Sequence, residues 1–333
     1  MVFVSTLGEY KNICKSVEEI IFSDDFNEKI IIHNNIKKIK FGDMFDKKVI
    51  VPNSVTHLTF ENVCNSKINI PNSVVHLTFI SHHERKLHKI CVMSKKIITY
   101  VLPFESNSIK KINVNNLLKL EIKNKKLKKV NELKHICFLH LKKCDEITDV
   151  SKLGNVHTLD LSHCKKITDV SKLGNVHTLN LSWCNNITDV SELGNVYSLN
   201  LSYCDNITDV SKLKNVHTLN LSFCENITNV SKLGNVHTLN LLGCQNITDV
   251  SNLGNVYTLN LHCCQNITDV SKLGNVHTLD LSGCSNITDV SKLGNVHTLN
   301  LTYCVNITDV SKLGKVHTLD LSLCCNILNV SKL

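Results

Sequence analysis

Much of what a working enzyme or a membrane protein needs is missing from this chain. No apolar run approaches the roughly 18 residues that a membrane-spanning helix requires. The opening stretch MVFVSTLGEYKNICKSVEE has no basic leader and is broken by Glu9, so it does not read as a secretory signal. A Gly-rich phosphate loop, a nucleophile motif and a convergent carboxylate pair are all missing outside the repeats, which puts an enzyme last among the readings and gives no cofactor to expect. Proline occurs only 3 times in 333 residues, and no Gly/Ser/Pro-rich stretch marks a flexible linker. A soluble, cytoplasmic protein in a reducing compartment is the plain expectation, even with 16 cysteines.

What is present is repetition. The 20-residue phrase LGNVHTLDLSHCKKITDVSK opens at Leu153, and close copies open at Leu173, Leu193, Leu213, Leu233, Leu253, Leu273, Leu293 and Leu313. A short fixed period lets each unit bury its apolar side only against its neighbours, which predicts a solenoid. The apolar columns of one unit are Leu153, Val156, Leu159, Leu161, Cys164, Ile167 and Val170. Leu159-x-Leu161 alternates, so it predicts a short parallel strand with Thr158, Asp160 and Ser162 pointing the other way. Gly154 and Asn155 supply the turn before it. The ITDVSK segment is too short for an α-helix and predicts 3-10 or extended structure on the outer side. Strands spaced more closely than these outer segments give a curved parallel sheet lining a concave face.

A weaker repeat of 19 residues precedes the first, with units opening at Val17, Ile36, Val55 and Val74. Its apolar columns run through Ile20, Ile39, Leu58 and Leu77 and through Phe22, Phe41, Phe60 and Phe79, each unit ending at a turn such as Pro52-Asn53-Ser54. The pattern divides the chain into a cap (1–16), the 19-residue units (17–80), an irregular basic junction (81–113) and the main array (114–333, period 20 from 131). The stretch VNNLLKLEIKNKKLKKV, from Val114, reads as a degenerate first unit, one residue short. Charge follows the same division: residues 1–150 hold 25 Lys and Arg against 16 Asp and Glu, whereas residues 151–333 hold 12 against 13.

With these columns in place, the 20-residue unit resembles a leucine-rich repeat, matching L-x-x-L-x-L-x-x-[NC]-x-x-[IL]. Its LxLSxCxxITDV stretch resembles the cysteine-containing repeats of F-box substrate receptors, and its length is similar to that of compact internalin-like repeats. The IPNSVxHLTF units are similar to FNIP repeats, found with such arrays in slime moulds and giant DNA viruses. The resemblance implies a leucine-rich-repeat solenoid of the α/β horseshoe class, mostly β here, that binds a partner and in some relatives serves as a ubiquitin-ligase adaptor. Only some sixteen residues precede the first repeat, and no F-box fits there.

Two ladders invite chemistry. Ten cysteines, Cys144 to Cys324, share one column. A metal site wants ligands converging from different segments, whereas this array offers one thiol per turn in a core column, so buried, inert thiols are expected and no metal. Cys263 and Cys325 fall outside the column and are expected as exposed thiols. His157, His177, His217, His237, His277, His297 and His317, with Tyr197 and Tyr257 between them, form the second ladder; copies in every unit argue for a structural edge rather than catalysis. Neighbouring charges about one strand spacing apart should resist protonation. The Asn-Ile-Thr triplets from Asn186 to Asn306 match a glycosylation pattern but read as a by-product of the repeat.

The columns that vary are the informative ones, because elsewhere the units are near copies. The residue before the ladder cysteine runs Lys143, His163, Trp183, Tyr203, Phe223, Gly243, Cys263, Gly283, Tyr303, Leu323. Trp183, Tyr203 and Phe223 sit on adjacent turns, so their rings should stack along one rim, and aromatic clusters of this kind favour binding hot spots. Stacking between turns with no ligand explains the same residues. The reading is a non-enzymatic scaffold binding an unidentified protein, a host factor if the chain is viral, through the concave face and the aromatic rim, with His163, Trp183, Tyr203, Phe223 and Tyr303 as the contact residues. The alternative is an anionic ligand or nucleic acid held by Lys119, Lys123, Lys125, Lys126, Lys128 and Lys129, a run that reads more simply as a solvated face. The terminal Ser331-Lys332-Leu333 matches a peroxisomal address but is also ordinary repeat sequence.

Overall fold

A computed structural model describes residues 1–61, 69–79, 91–92, 101–102, 119–122, 127–328 and 330. The 81–113 junction therefore lies outside the described residues apart from Cys91–Val92 and Val101–Leu102, and Lys123, Lys125, Lys126 and Ser331–Leu333 lie outside them entirely. Contacts divide the chain into two compact units, Met1–Ile147 with Asn155–Asp160, and Thr148–Gly154 with Leu161–Leu333. Each is a stack of parallel strands, one strand per repeat, in a leucine-rich-repeat solenoid.

In the first unit a five-stranded parallel sheet joins β1 (Val2–Val4), β2 (Glu19–Phe22), β3 (Lys38–Phe41), β4 (His57–Phe60) and β6 (His76–Phe79), while β5 (Asn69–Ile70) pairs with β7 (Cys91–Val92). Register follows the 19-residue period: Ile20 pairs with Ile39, Ile39 with Leu58, and Leu58 with Leu77. Alternation puts Ile20 and Phe22 inside and their neighbours at the surface. The Phe column becomes a stack, with Phe22, Phe41 and Phe60 at successive centroid distances of 5.1 Å. Helix α1 (Leu7–Lys11) starts from a capping box, in which the Thr6 hydroxyl accepts from the Glu9 amide and the Glu9 carboxylate accepts in return. Its Tyr10 hydroxyl donates to the Ile31 carbonyl at 2.8 Å. The unit also holds β8 (Val101–Leu102), β9 (Lys119–Ile122), β10 (Phe138–His140) and β11 (Thr158–Asp160). Leu120 pairs with Leu139, 19 residues on, and Leu139 with Leu159, 20 residues on. The degenerate unit is thus one residue short in space as in sequence.

The second unit repeats one turn with little change. Its strands run from β12 (Thr178–Asn180), β13 (Ser198–Asn200), β14 (Thr218–Asn220) and β15 (Thr238–Asn240) to β16 (Thr258–Asn260), β17 (Thr278–Asp280), β18 (Thr298–Asn300) and β19 (Thr318–Asp320). All pair in parallel with equivalent residues opposite, as Leu219 does with Leu239. The Leu, Val, Ile and Cys columns are at most 2% exposed from Leu161 to Leu313, so the core is one continuous strip of aliphatic and thiol groups. Opposite the strands, short 3-10 helices form at Ser171–Leu173, Ser191–Leu193, Ser211–Leu213 and Ser251–Leu253. Each starts from an Asp two residues earlier: the Ser171 amide donates to Asp169 at 2.9 Å, and the hydrogen bonds of Ser171 hold that carboxyl below its usual range.

Side-chain ladders pair further backbone groups in each turn. The Ser182 amide donates to Asn180 Oδ1 at 3.0 Å, which turns the chain out of the strand. The Asn186 amide donates across to the Lys165 carbonyl at 2.8 Å, and Asn206, Asn226, Asn246, Asn266, Asn286, Asn306 and Asn326 repeat that bond turn by turn. The Asn-Ile-Thr triplet is therefore an asparagine ladder. Asp160 and Ser162, expected to face outward, are only 7% and 5% exposed.

Candidate functional site

The variable column before each ladder cysteine has an unusual backbone. Lys143, His163, Trp183, Tyr203, Phe223, Cys263, Tyr303 and Leu323 all have φ between 57° and 65°, and Gly243 and Gly283 have φ of 69° and 70° in the same slot. An L-residue in this left-handed region costs roughly 1–2 kcal/mol, which Gly escapes. The amides are still paired: those of Trp183 and Tyr203 each donate to a serine carbonyl of the next turn at 2.9 Å, Ser202 and Ser222 respectively. Eight of ten turns thus place a side chain where glycine is the natural occupant. The conformation swings these side chains to the rim, just past the strand end.

Four of the rings form one continuous stack. His163 lies 5.5 Å from Trp183, Trp183 4.0 Å from Tyr203, and Tyr203 4.6 Å from Phe223, with interplanar angles of 9°, 12° and 18°. The stack ends where the column turns to glycine: a Cβ on Gly243 would sit 2.6 Å from Phe223 Cδ1, so the Phe223 ring leans into the space that Gly243 leaves. Trp183 is 39% exposed, with its faces covered by neighbours and its edge open. Tyr303, 58% exposed, stands apart from the stack, separated from Phe223 by Gly243, Cys263 and Gly283. The structure therefore brings His163, Trp183, Tyr203 and Phe223 together and leaves Tyr303 with a different neighbourhood.

A second column of rings runs parallel to it. His177, Tyr197, His217, His237, Tyr257, His277, His297 and His317 stack at 4.4–4.9 Å with interplanar angles of 10–19°. Each histidine places Nδ1 within hydrogen-bonding distance of the following Thr hydroxyl, as His277 does with Thr278 at 3.2 Å. Desolvation against the neighbouring rings, and then the charges of His277 and His317, hold His297 below the ordinary histidine value. In the first unit His57 is lowered in the same way, by burial and then by His76 stacked 4.3 Å away.

The ladder cysteines are core groups. Cys184 Sγ donates to the Leu161 carbonyl at 3.2 Å, and Cys224, Cys244 and Cys264 repeat the contact at 3.1 Å. Burial pushes the Cys204, Cys224, Cys244 and Cys264 thiols up to about 12, which removes the thiolate needed for metal binding or exchange at neutral pH. Cys325 is exposed as expected, whereas Cys263, expected to be exposed as well, is half-buried. Of the lysines in the basic run, Lys119 is half-buried on β9, and Lys128 and Lys129 are exposed, with Lys128 Nζ 3.9 Å from Glu146. No group of three His, Cys, Asp or Glu is placed to hold a metal ion among the described residues, nor is any helix there long and apolar enough to cross a membrane.

Sequence periodicity identified the rim column but missed its left-handed backbone. The two glycines in an otherwise bulky column were the available signal, since glycine recurs where φ is positive.

Comparison with known proteins agrees with the architecture. The family described as FNIP Repeat matches residues 47–82, and that described as Leucine Rich repeat matches residues 155–171 and 175–191. No curated protein matches the chain. Among solved structures, the circular leucine-rich-repeat protein CroV588 is similar at a TM-score of 0.55 and 12% identity, covering 95% of this chain and 57% of that one. TLR13, in its complex with ssRNA13, is similar at 0.51 and 16% identity, covering 93% of this chain and 64% of its own. An internalin, inlF from Listeria monocytogenes, is 16% identical over 92% of this chain and 88% of its own, at a TM-score of 0.45. The chain spans somewhat under two thirds of CroV588 and TLR13. Period, register and parallel stacking together give this chain the leucine-rich-repeat fold, with a match to FNIP repeats in its N-terminal part.

Proposed function

We propose that the chain is a non-enzymatic scaffold that binds a protein partner through the aromatic rim His163–Trp183–Tyr203–Phe223. The observation that carries this reading is the occupancy of a left-handed slot by three large rings on consecutive turns. Gly243 and Gly283 fill the same slot without disturbing the strands on either side, so the backbone has no need of an aromatic group there. Stacked, half-exposed rings present rigid apolar area at little further entropy loss, which is the character of binding anchors. Leucine-rich-repeat folds are commonly used for protein–protein interaction, which supports the class of partner.

The test is comparative capture from cells of origin on immobilised wild-type protein and on a Trp183→Gly/Tyr203→Gly/Phe223→Gly variant. The expected result is a protein retained by the first and lost from the second, with the loss of each ring worth about 2 kcal/mol or more of affinity. Equal retention on both would remove the rim from the account. A second reading, an anionic ligand on the basic run, draws on the exposed Lys128 and Lys129 and on TLR13 as an RNA-bound structural neighbour. It requires affinity that falls steeply with salt.

A further inference from the structure

One turn departs from the repeat at several positions at once, and the departures meet in space. Where other turns carry Lys142, Ser, Leu242 or Thr302, this one has His262, and the adjoining rim residue is Cys263, the only cysteine of its column. The next turn supplies Ser282, Asp280 in place of the usual Asn, and Gly283. The four polar groups form a directed chain. The Asp280 carboxylate accepts from the Ser282 hydroxyl at 2.5 Å, so that proton is committed to Asp280. Ser282 Oγ, 2.5 Å from His262 Nδ1, can then only accept, so the Nδ1 position of the imidazole carries a proton. His262 Nε2 lies 3.3 Å from Cys263 Sγ, and in the uncharged ring with its proton on Nδ1 this nitrogen is the acceptor for the thiol.

The thiol also has an open side. A Cβ on Gly283 would come within 3.0 Å of Cys263 Sγ, so glycine leaves uncovered the face that Tyr203 covers on Trp183. That face opens into a groove of about 680 Å³ lined by His262, Cys263, Ser282, Gly283, Thr302 and Tyr303. The volume lies in the range of small-ligand sites, roughly 300–1,000 Å³. Tyr303, outside the aromatic stack, forms one of its walls.

We propose that Cys263 is an activated thiol that undergoes exchange with small-molecule disulfides held in this groove. Cys263 sulfur attacks one sulfur of R–S–S–R and forms a new S–S bond; the old S–S bond breaks and its electron pair leaves on the second sulfur. His262 Nε2 takes the thiol proton as the sulfur attacks and returns it to the departing thiolate, giving Cys263–S–S–R and R–SH. Cys263 sulfur is oxidised and the leaving sulfur reduced, with the disulfide as the oxidant. Ser282 and Asp280 are positioning residues that hold the imidazole in the tautomer able to accept. The neighbouring Cys264 is buried with its thiol on the Leu241 carbonyl, so it does not resolve the adduct, and the mixed disulfide lasts until a second external thiol arrives. This inference is independent of the rim reading, which concerns other turns.

The test uses the full chain with glutathione disulfide at pH 7, with peptide mapping by mass spectrometry over time. Cys325, the more exposed thiol, is the internal reference. The expected result is modification of Cys263 about tenfold or more faster than Cys325, a modest share of what general-base assistance can supply. His262→Ser restores the residue that most turns carry and should bring Cys263 down to the rate of Cys325. Gly283→Tyr, a residue this column already accommodates at Tyr203 and Tyr303, should also slow it by covering the open face. The unfolding midpoint of each variant reports that the array is intact. Cys263 reacting no faster than Cys325, or at a rate unchanged by His262→Ser or by Gly283→Tyr, overturns the proposal.

Discussion

At Trp183 the usual order of alanine and glycine substitutions should reverse. In a helix or strand, glycine is less stable than alanine by about 0.5–1 kcal/mol because it loses more backbone freedom on folding. Trp183 has φ of 64°, where an alanine Cβ costs roughly 1–2 kcal/mol and glycine pays nothing of the kind. Both variants lose the same ring and the same stacks on His163 and Tyr203, so those losses cancel in the comparison. What remains favours Trp183→Gly over Trp183→Ala by up to about 1.5 kcal/mol, centred on about 0.75 kcal/mol. Urea unfolding of the two variants, followed by circular dichroism at matched slopes, measures that difference directly. The two should nevertheless lose partner binding equally, because affinity depends on the ring and stability on the backbone. An alanine variant as stable as the glycine one, or more stable, would refute the left-handed assignment and the slot argument built on it.

Three further outcomes follow from the same geometry. Cys224 is fully buried with its thiol 3.1 Å from the Leu201 carbonyl, which also accepts from the Cys204 amide, so Cys224→Ala loses mainly packing, about 1–2 kcal/mol, whereas Cys224→Ser buries a hydroxyl at an awkward distance and should be the less stable variant in urea. His297 has a folded pKa below the unfolded value of about 6.5, so the unfolded chain binds more protons as pH falls; stability is full above that value, declines as pH drops through it, and has lost its whole contribution below the folded pKa, which melting temperatures at pH 7.5 and 5.5 should show as a lower value at 5.5 that recovers in a His277→Asn/His297→Asn/His317→Asn variant. Asn246→Ala removes the 2.7 Å bond to the Glu225 carbonyl at the surface and should lower stability by about 0.5–1.5 kcal/mol in urea, with no rescue by Gln, whose longer arm misplaces the amide.

The parts of the fold that depend on period were legible in the chain itself. Leu159, Leu179 and Leu199 recur at a spacing that one strand per turn alone satisfies, and the 19-residue step from Leu120 to Leu139 could be counted before any pairing was seen. The few residues left to return the chain implied 3-10 or extended structure, and Ser171–Leu173 takes the first of these. Three features resisted the same reading. Asn186 looks like a modification motif until the Lys165 carbonyl is placed opposite its amide. The backbone sign at Trp183 is hidden because a bulky residue carries no mark of positive φ, and only Gly243 and Gly283 disclosed it. The link between His262 and Asp280 spans adjacent turns and passes through Ser282, so no local window contains it. The stacking of Trp183, Tyr203 and Phe223, by contrast, followed from their equal phase in the repeat.

Trp183 is the only tryptophan in the chain, so its fluorescence reports on the rim alone. Its edge is open, with 39% of the residue exposed, and a partner that seats on the aromatic column must cover it. Titrating a captured partner into the wild-type protein should shift Trp183 emission to shorter wavelength and reduce quenching by acrylamide, at the same concentrations that saturate binding. Saturable binding with unchanged emission and unchanged quenching would contradict the rim as the binding surface.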